Sequence, residues 1–182
     1  MASAPEASSD AALISRVLVS DDRRAFGELV ARHQSAVRGL LRRLTGGDLA
    51  QADDLAQETF LRAYRGLRGY RGGAKFSSWL YRIACNVFFS RDRGSREPFQ
   101  EPFVLEVGRA EESLPDRLLE RYDLERALAT LKPRERAALV LTYANELTHE
   151  EAADVLDCPL GTLKTHVARA KEKLRRQLEE VP

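Results

Sequence analysis

Residues 147–165 constrain the fold of this chain more than any other stretch. Thr148 and Glu151 form a capping box, which starts a helix. Ala152 and Ala153 are small enough to let a second helix cross closely, and Pro159 and Gly161 permit a sharp turn between the two. Beyond the turn, Leu163, Val167, Ala170, Leu174 and Leu178 recur on one side of a second helix. Lys164, Thr165, Ala168, Arg169, Arg175 and Arg176 occupy the other side. This predicts two crossed helices, the second basic on its outer face. An ordinary helical hairpin with a solvated basic face is the plainer alternative.

The remaining patterned segments also read as helix, so an all-α fold of two small helical domains is expected. Phe26, Leu29, Val30, His33, Val37, Leu40, Leu41 and Leu44 follow helical spacing and make one long amphipathic helix. Gly46 and Gly47 end it, and Asp48 with Gln51 opens the next, whose core stripe reads Ala52, Ala56, Phe60, Ala63 and Leu67. A glycine-rich loop leads to a helix from about Phe76 to Arg91, with Trp79, Leu80, Ile83, Ala84, Val87 and Phe88 facing inward. Residues 94–116 carry three prolines and scattered acids without a sustained period, which reads as a linker. Helices are expected near 118–131, 133–144, 148–156 and 161–178. The organisation is thus a disordered N-terminus over 1–9, a domain over 10–93, the linker, and a second domain over 117–182.

With 182 residues and a net charge of +1, bulk charge does not announce a nucleic-acid partner, but its distribution does. Between Arg62 and Arg96 lie nine Arg or Lys, one acid and seven of the 13 aromatics. Tyr70, Arg71, Lys75, Phe76, Trp79, Tyr81, Arg82, Asn86, Phe89, Arg91 and Arg93 mix cations with aromatics. That mixture suits single-stranded nucleic acid, since cations follow phosphates and aromatic faces stack on unpaired bases. Arg82, Asn86, Phe89 and Arg93 share one helical face opposite the core stripe. Trp79 and Phe76 are residue types that more often serve as core than as base platforms. In the second domain an α-helix fits the major groove and its N-terminal residues reach base edges, which makes Thr162, Lys164, Thr165 and Arg169 the readers and Arg175 and Arg176 phosphate contacts. Asp53, Asp54, Gln57, Glu58 and Leu61 project from the second helix away from its core. Their acids suit the dipole near a helix N-terminus, and they equally suit a docking face for a basic protein.

Three stretches, in this order, resemble the extracytoplasmic-function (ECF) sigma factors of the sigma-70 family. Asp53-Asp54-Leu55-Ala56-Gln57-Glu58-Thr59-Phe60-Leu61 resembles the family's core-polymerase helix, Phe76-Ser77-Ser78-Trp79-Leu80-Tyr81-Arg82-Ile83-Ala84-Cys85-Asn86 its minus-ten helix, and residues 147–170 its minus-35 helix-turn-helix. The resemblance implies a non-enzymatic factor whose acidic face docks on the β′ and β subunits of core RNA polymerase. It implies capture of non-template minus-ten bases by Asn86, its helical neighbours and the loop from Tyr70 to Lys75, and reading of minus-35 duplex by the second domain. His166 and Ala168 depart from common family residues, so the promoter sequence is not carried over. Many members are held inactive by an anti-sigma factor, which makes one a candidate partner here; the free chain is expected to be monomeric. A conventional helix-turn-helix regulator and a sigma mimic that titrates an anti-sigma factor are the alternatives. The aromatic-basic segment argues against the first and the intact basic helix against the second.

No catalytic site is legible. His33, His149 and His166 have no metal-ligand spacing, no serine or cysteine has triad context, and no cofactor is expected. His33 reads as a satisfied boundary residue. No long apolar run or signal peptide is present, and Cys85 and Cys158 are far apart, so a reduced, cytoplasmic protein without membrane insertion is expected.

Overall fold

A computed structural model describes residues 9–94 and 124–179, the side chains at 92–94 and 178–179 excepted. Most of the expected linker and residues 1–8 lie outside the described residues, and so does the side chain of Arg93. Among the described residues there is no strand.

The first group holds α1 (Asp10–Ser20), α2 (Arg23–Leu44), α3 (Leu49–Gly66) and α4 (Phe76–Gly94). Helix α1 has a short stripe, Leu13, Ile14 and Val17, buried against α2, with Ser9 accepting the Ala12 N–H as its cap. Asp22 caps α2 by accepting from the Arg24 and Ala25 N–H groups and pairs with Arg16 at 2.7 Å, fixing the corner between the two helices. The α2 stripe is buried as its period requires, Leu29, Val37, Leu40, Leu41 and Leu44 being at most 1% exposed. Each such side chain stabilises the fold by about 1.5–3 kcal/mol relative to exposure. Gly46 and Gly47 leave the helix with φ of 69° and 95°, and Asp48 accepts the Gln51 N–H at 2.9 Å to start α3.

Two core stripes differ from the expected ones. In α3, Leu55 and Thr59 are buried and Phe60 lies only half-buried. Thr59 is accommodated because its hydroxyl donates to the Leu55 carbonyl at 2.7 Å. In α4, Tyr81, Cys85 and Phe89 join Leu80, Ala84, Val87 and Phe88 in the core, while Trp79 and Ile83 are only partly covered. A wider arc of α4 is buried because it meets α2 and α3 on one side and α7 on another.

The second group holds a helical segment over residues 124–129 (α5), α6 (Pro133–Tyr143), α7 (His149–Val155) and α8 (Leu160–Glu179). Pro133 sits at the start of α6, where its missing N–H costs nothing. The capping box is as the sequence requires: Thr148 Oγ1 accepts the Glu151 N–H at 3.1 Å and Glu151 Oε2 accepts the Thr148 N–H at 2.9 Å. Ala152 and Ala153 are buried where α7 crosses α6 and α8, and Leu163, Val167 and Ala170 are buried on the inner face of α8.

Glu135 is 3% exposed and accepts from Lys173 Nζ at 2.6 Å, tying α6 to α8. Burial by itself would raise its pKa, but the Lys173 ammonium and the Lys132 N–H hold the carboxyl below its ordinary 4.5. A carboxyl depressed by folding stabilises the fold above its unfolded pKa and loses that contribution as pH falls through the folded value. Stability should therefore fall as pH drops below 4.5. Lys173→Met should cost about 2–3 kcal/mol at neutral pH by leaving a buried carboxylate without its partner, and should flatten the acid slope. Denaturant unfolding at neutral and acid pH measures both.

The two groups pack on each other. Helix α2 meets α6 and α4 meets α7. Arg42 pairs with Glu125 at 2.5 Å, and a Cβ at Gly46 would come within 3.1 Å of Ala129 Cβ.

Candidate nucleic-acid interface

On α8, the expected outer face is exposed. Thr162, Lys164, Thr165, Ala168, Arg169, Arg175 and Arg176 all face solvent, and His166 is half-buried. Among the described residues neither Lys164 nor Arg169 is paired with an acid. Arg175 and Arg176 each hold Glu172 at 3.1 Å. The first turn of α8 follows Asp157, which takes the left-handed conformation at φ 50°.

On α4 and the preceding loop, the cations are outward and the aromatics largely are not. Arg82 and Asn86 are exposed on one face, and Arg71 and Lys75 are exposed in the loop. Tyr70 donates its phenol to the Ala74 carbonyl at 2.6 Å, which closes that loop. Its pKa is pushed up, by burial first and by the Asp10 carboxylate second, so the phenol stays neutral. Phe89 is placed differently from the open base platform expected of it, and Phe76 takes its core alternative. Phe76 is 5% exposed, between the rings of His33, Tyr70 and Trp79. Phe89 is 9% exposed, against Phe88, with the Arg134 guanidinium 5.2 Å above its ring. Trp79 retains partial exposure and tilts against Tyr70 at 5.4 Å. A cleft of about 160 Å³ opens there, lined by Tyr70, Ser78, Trp79 and Arg82 and walled on its far side by Asp154 and Val155 of α7.

On α3, Asp53, Asp54, Gln57 and Leu61 are exposed and Glu58 is half-buried, all on one face. Asp53 is 3.1 Å from Arg38, Glu58 is 2.6 Å from Arg62 and Asp54 is 3.9 Å from Arg91. The helix begins at Leu49, so Asp54 and Glu58 stand beyond the first turn, where the dipole no longer accounts for them.

Residues 29–96 match the family model for sigma-70 region 2 and residues 121–174 that for sigma-70 region 4. The ECF RNA polymerase sigma-E factor of Haemophilus influenzae is 31% identical over 93% of this chain and 95% of its own length. The chain belongs to the ECF family of RNA polymerase sigma factors. The RNA polymerase sigma-H factor of Pseudomonas aeruginosa is 34% identical over 93% of this chain and 94% of its own. Among solved structures, CnrH in complex with the cytosolic domain of CnrY is similar at a TM-score of 0.72 and 27% identity, covering 95% of this chain and 99% of that one. The sigma factor RpoE of Bartonella quintana, solved with the anti-sigma factor NepR, is similar at 0.69 and 26%, covering 87% and 99%.

As an ECF sigma factor, the protein directs promoter-specific transcription initiation, and its family is non-catalytic. The other reactive groups of this sigma factor have structural surroundings. His33 Nε2 lies 2.7 Å from Asp10 Oδ2 and its ring is edge-on to Phe76. Burial pushes the Cys85 thiol up to about 12, and burial also raises Cys158. No helix among the described residues is long and apolar enough to cross a membrane.

Sequence reasoning missed Ser78, whose buried hydroxyl lines the cleft without a hydrogen-bond partner among the described residues. It also missed the acids of the second helical group that face α4 and the loop before it. Lys75 lies 3.5 Å from Glu151 and Arg82 lies 3.5 Å from Asp157. The sequence signal available was the spacing of Glu151, Asp154 and Asp157, three acids three apart around α7 and its turn.

Proposed function

We propose that this sigma factor guides core RNA polymerase through three surfaces. Residues 10–93 form the polymerase-docking and minus-ten domain, residues 94–116 the linker, and residues 117–182 the minus-35 domain. Asp53, Asp54, Gln57, Glu58 and Leu61 dock on core polymerase, contacting β′ and β. The cleft at Tyr70, Trp79 and Arg82 receives an unpaired base of the non-template strand, with Asn86 reading an edge and Arg71, Lys75 and Arg93 following phosphates. Phe76 positions Tyr70 and Trp79 by packing beneath them. Binding energy for single-stranded bases, rather than chemistry, holds the DNA open. The factor works in the cytoplasm, is monomeric when free, and is a candidate for an anti-sigma partner, as RpoE of B. quintana has in NepR.

One observation carries the promoter reading: the N-terminal half of α8 presents Thr162, Lys164, Thr165 and Arg169 to solvent, after a tight turn from the capped helix α7, with no acid among the described residues engaging either cation. Arg169→Ala should weaken binding to the preferred minus-35 duplex by about 1–3 kcal/mol if its guanidinium pairs with a base. Competition binding across minus-35 variants checks this. Loss confined to one base position is the expected result, and an equal loss on every sequence would make Arg169 a phosphate contact instead.

A further inference from the structure

We infer that Asp10 and His33 are positioning residues for the minus-ten site, their hydrogen bond fixing the ring against which the aromatic wall of the cleft is built. This rests on the minus-ten reading above, in which Tyr70 and Trp79 receive an unpaired base. Asp10 is the first residue of α1, and its carboxylate is held at both oxygens. Oδ1 accepts from Arg32 Nη1 at 3.2 Å, and Oδ2 lies 2.7 Å from His33 Nε2. A carboxylate only accepts, so Nε2 carries the hydrogen and the bond fixes the plane of the imidazole. The His33 side chain is 17% exposed, so little water competes for that bond.

Beyond His33 the contacts run from ring to ring. His33 meets Phe76 edge-on, with centroids 5.3 Å apart and planes at 72°. Phe76 meets Tyr70 edge-on at 5.5 Å and stacks on Trp79, also at 5.5 Å, and Tyr70 and Trp79 tilt against each other at 5.4 Å. Aromatic pairs prefer edge-to-face and offset geometries, so each ring sets the tilt of the next. Phe76 is buried in a close-packed surrounding, so a turn of the imidazole is passed on to Tyr70 and Trp79 rather than absorbed. Asp10 stands close behind this wall: after burial, its charge is the second cause that raises the Tyr70 pKa. Holding α1 on α2 does not itself require the pair. Leu13, Ile14 and Val17 bury that contact, and the Arg16–Asp22 pair fixes its far end.

The test uses the full chain, whose one tryptophan is Trp79, so acrylamide quenching of its emission reads the cleft directly. The same proteins, bound to core polymerase, are assayed by permanganate reactivity on a duplex promoter selected from a randomised library. Asp10→Ala and His33→Ala should each raise quenching and lower open-complex formation about tenfold, within what one base stacked on an aromatic ring contributes. Closed-complex binding should not change. Asp10→Asn should restore most of both readouts, because its amide oxygen still accepts from His33. Val17→Ala removes a buried contact further along α1 and should lower stability with neither change. Should Val17→Ala match Asp10→Ala in both readouts, the pair only docks α1 and the inference is overturned. Unchanged quenching and melting in both alanine variants would overturn it too; if Arg82→Ala with Asn86→Ala still abolishes melting, the minus-ten reading survives that failure. Greater quenching with normal melting would also overturn it, and normal melting by the Arg82→Ala, Asn86→Ala variant would then place the fault in the minus-ten reading itself.

Discussion

Asp54→Lys with Glu58→Lys will abolish promoter-directed transcription while leaving the protein folded. The two substitutions turn a face carrying three acids, Asp53, Asp54 and Glu58, into one carrying a single acid and two lysines, opposite the basic polymerase surface that the docking proposal requires. Like charges across an interface cost several kcal/mol. The dissociation constant for core polymerase should rise at least about 100-fold, equivalent to about 2.7 kcal/mol. The fold should tolerate the change because solvent reaches both side chains, 63% and 42% exposed, and their pairs with Arg91 and Arg62 are surface pairs. Such pairs contribute at most about 1 kcal/mol each. Co-purification with core polymerase and a thermal unfolding scan together check it. Normal co-purification of a folded variant would remove α3 from the docking account.

Asn86→Ala should cut open-complex formation about ten- to a hundredfold on duplex promoters. The amide is exposed one helical turn beyond Arg82, which lines the cleft at Trp79, and paired hydrogen bonds from it to a base edge would be worth about 1–3 kcal/mol. Because the proposed contact forms only with unpaired bases, closed-complex binding should change little. A template already melted across the minus-ten element should recover most of the lost rate. Permanganate reactivity of promoter thymines on the two templates measures both effects. Equal defects on both templates would show that Asn86 acts before melting.

Much of this fold is legible from periodicity and caps. The buried Leu29, Val37, Leu40, Leu41 and Leu44 of α2, the stop at Gly46 and Gly47, the Thr148–Glu151 box and the buried Leu163, Val167 and Ala170 of α8 are as the sequence dictates, because period and caps are set by spacings of a few residues; Leu174 is only partly buried and the Leu178 side chain lies outside the described residues. What fails depends on partners distant in the chain. Phe89 shares a helical face with exposed Arg82 and Asn86, and a period cannot tell that Arg134 covers it. For Phe76 the sequence leaves both core and platform open, and α2 decides for core by supplying His33 against it. Leu55 and Thr59 are buried where Phe60 was expected, because α3 packs against both α2 and α4 and the burying arc is set by the two together. Helix α1 has only three buried apolar positions, too few for a sustained pattern. The family's three motifs identify the surfaces, but the acids facing Lys75 and Arg82 become visible only when α7 is placed against α4.

The measurement that bears most directly on the central claim is transcription by sigma-free bacterial core RNA polymerase, with and without the purified protein, from a library of randomised promoters. Initiation is expected only when the protein is present, from templates that share one minus-35 and one minus-ten sequence at fixed spacing. Specific duplex binding by the protein alone, with no initiation from any template, would contradict it.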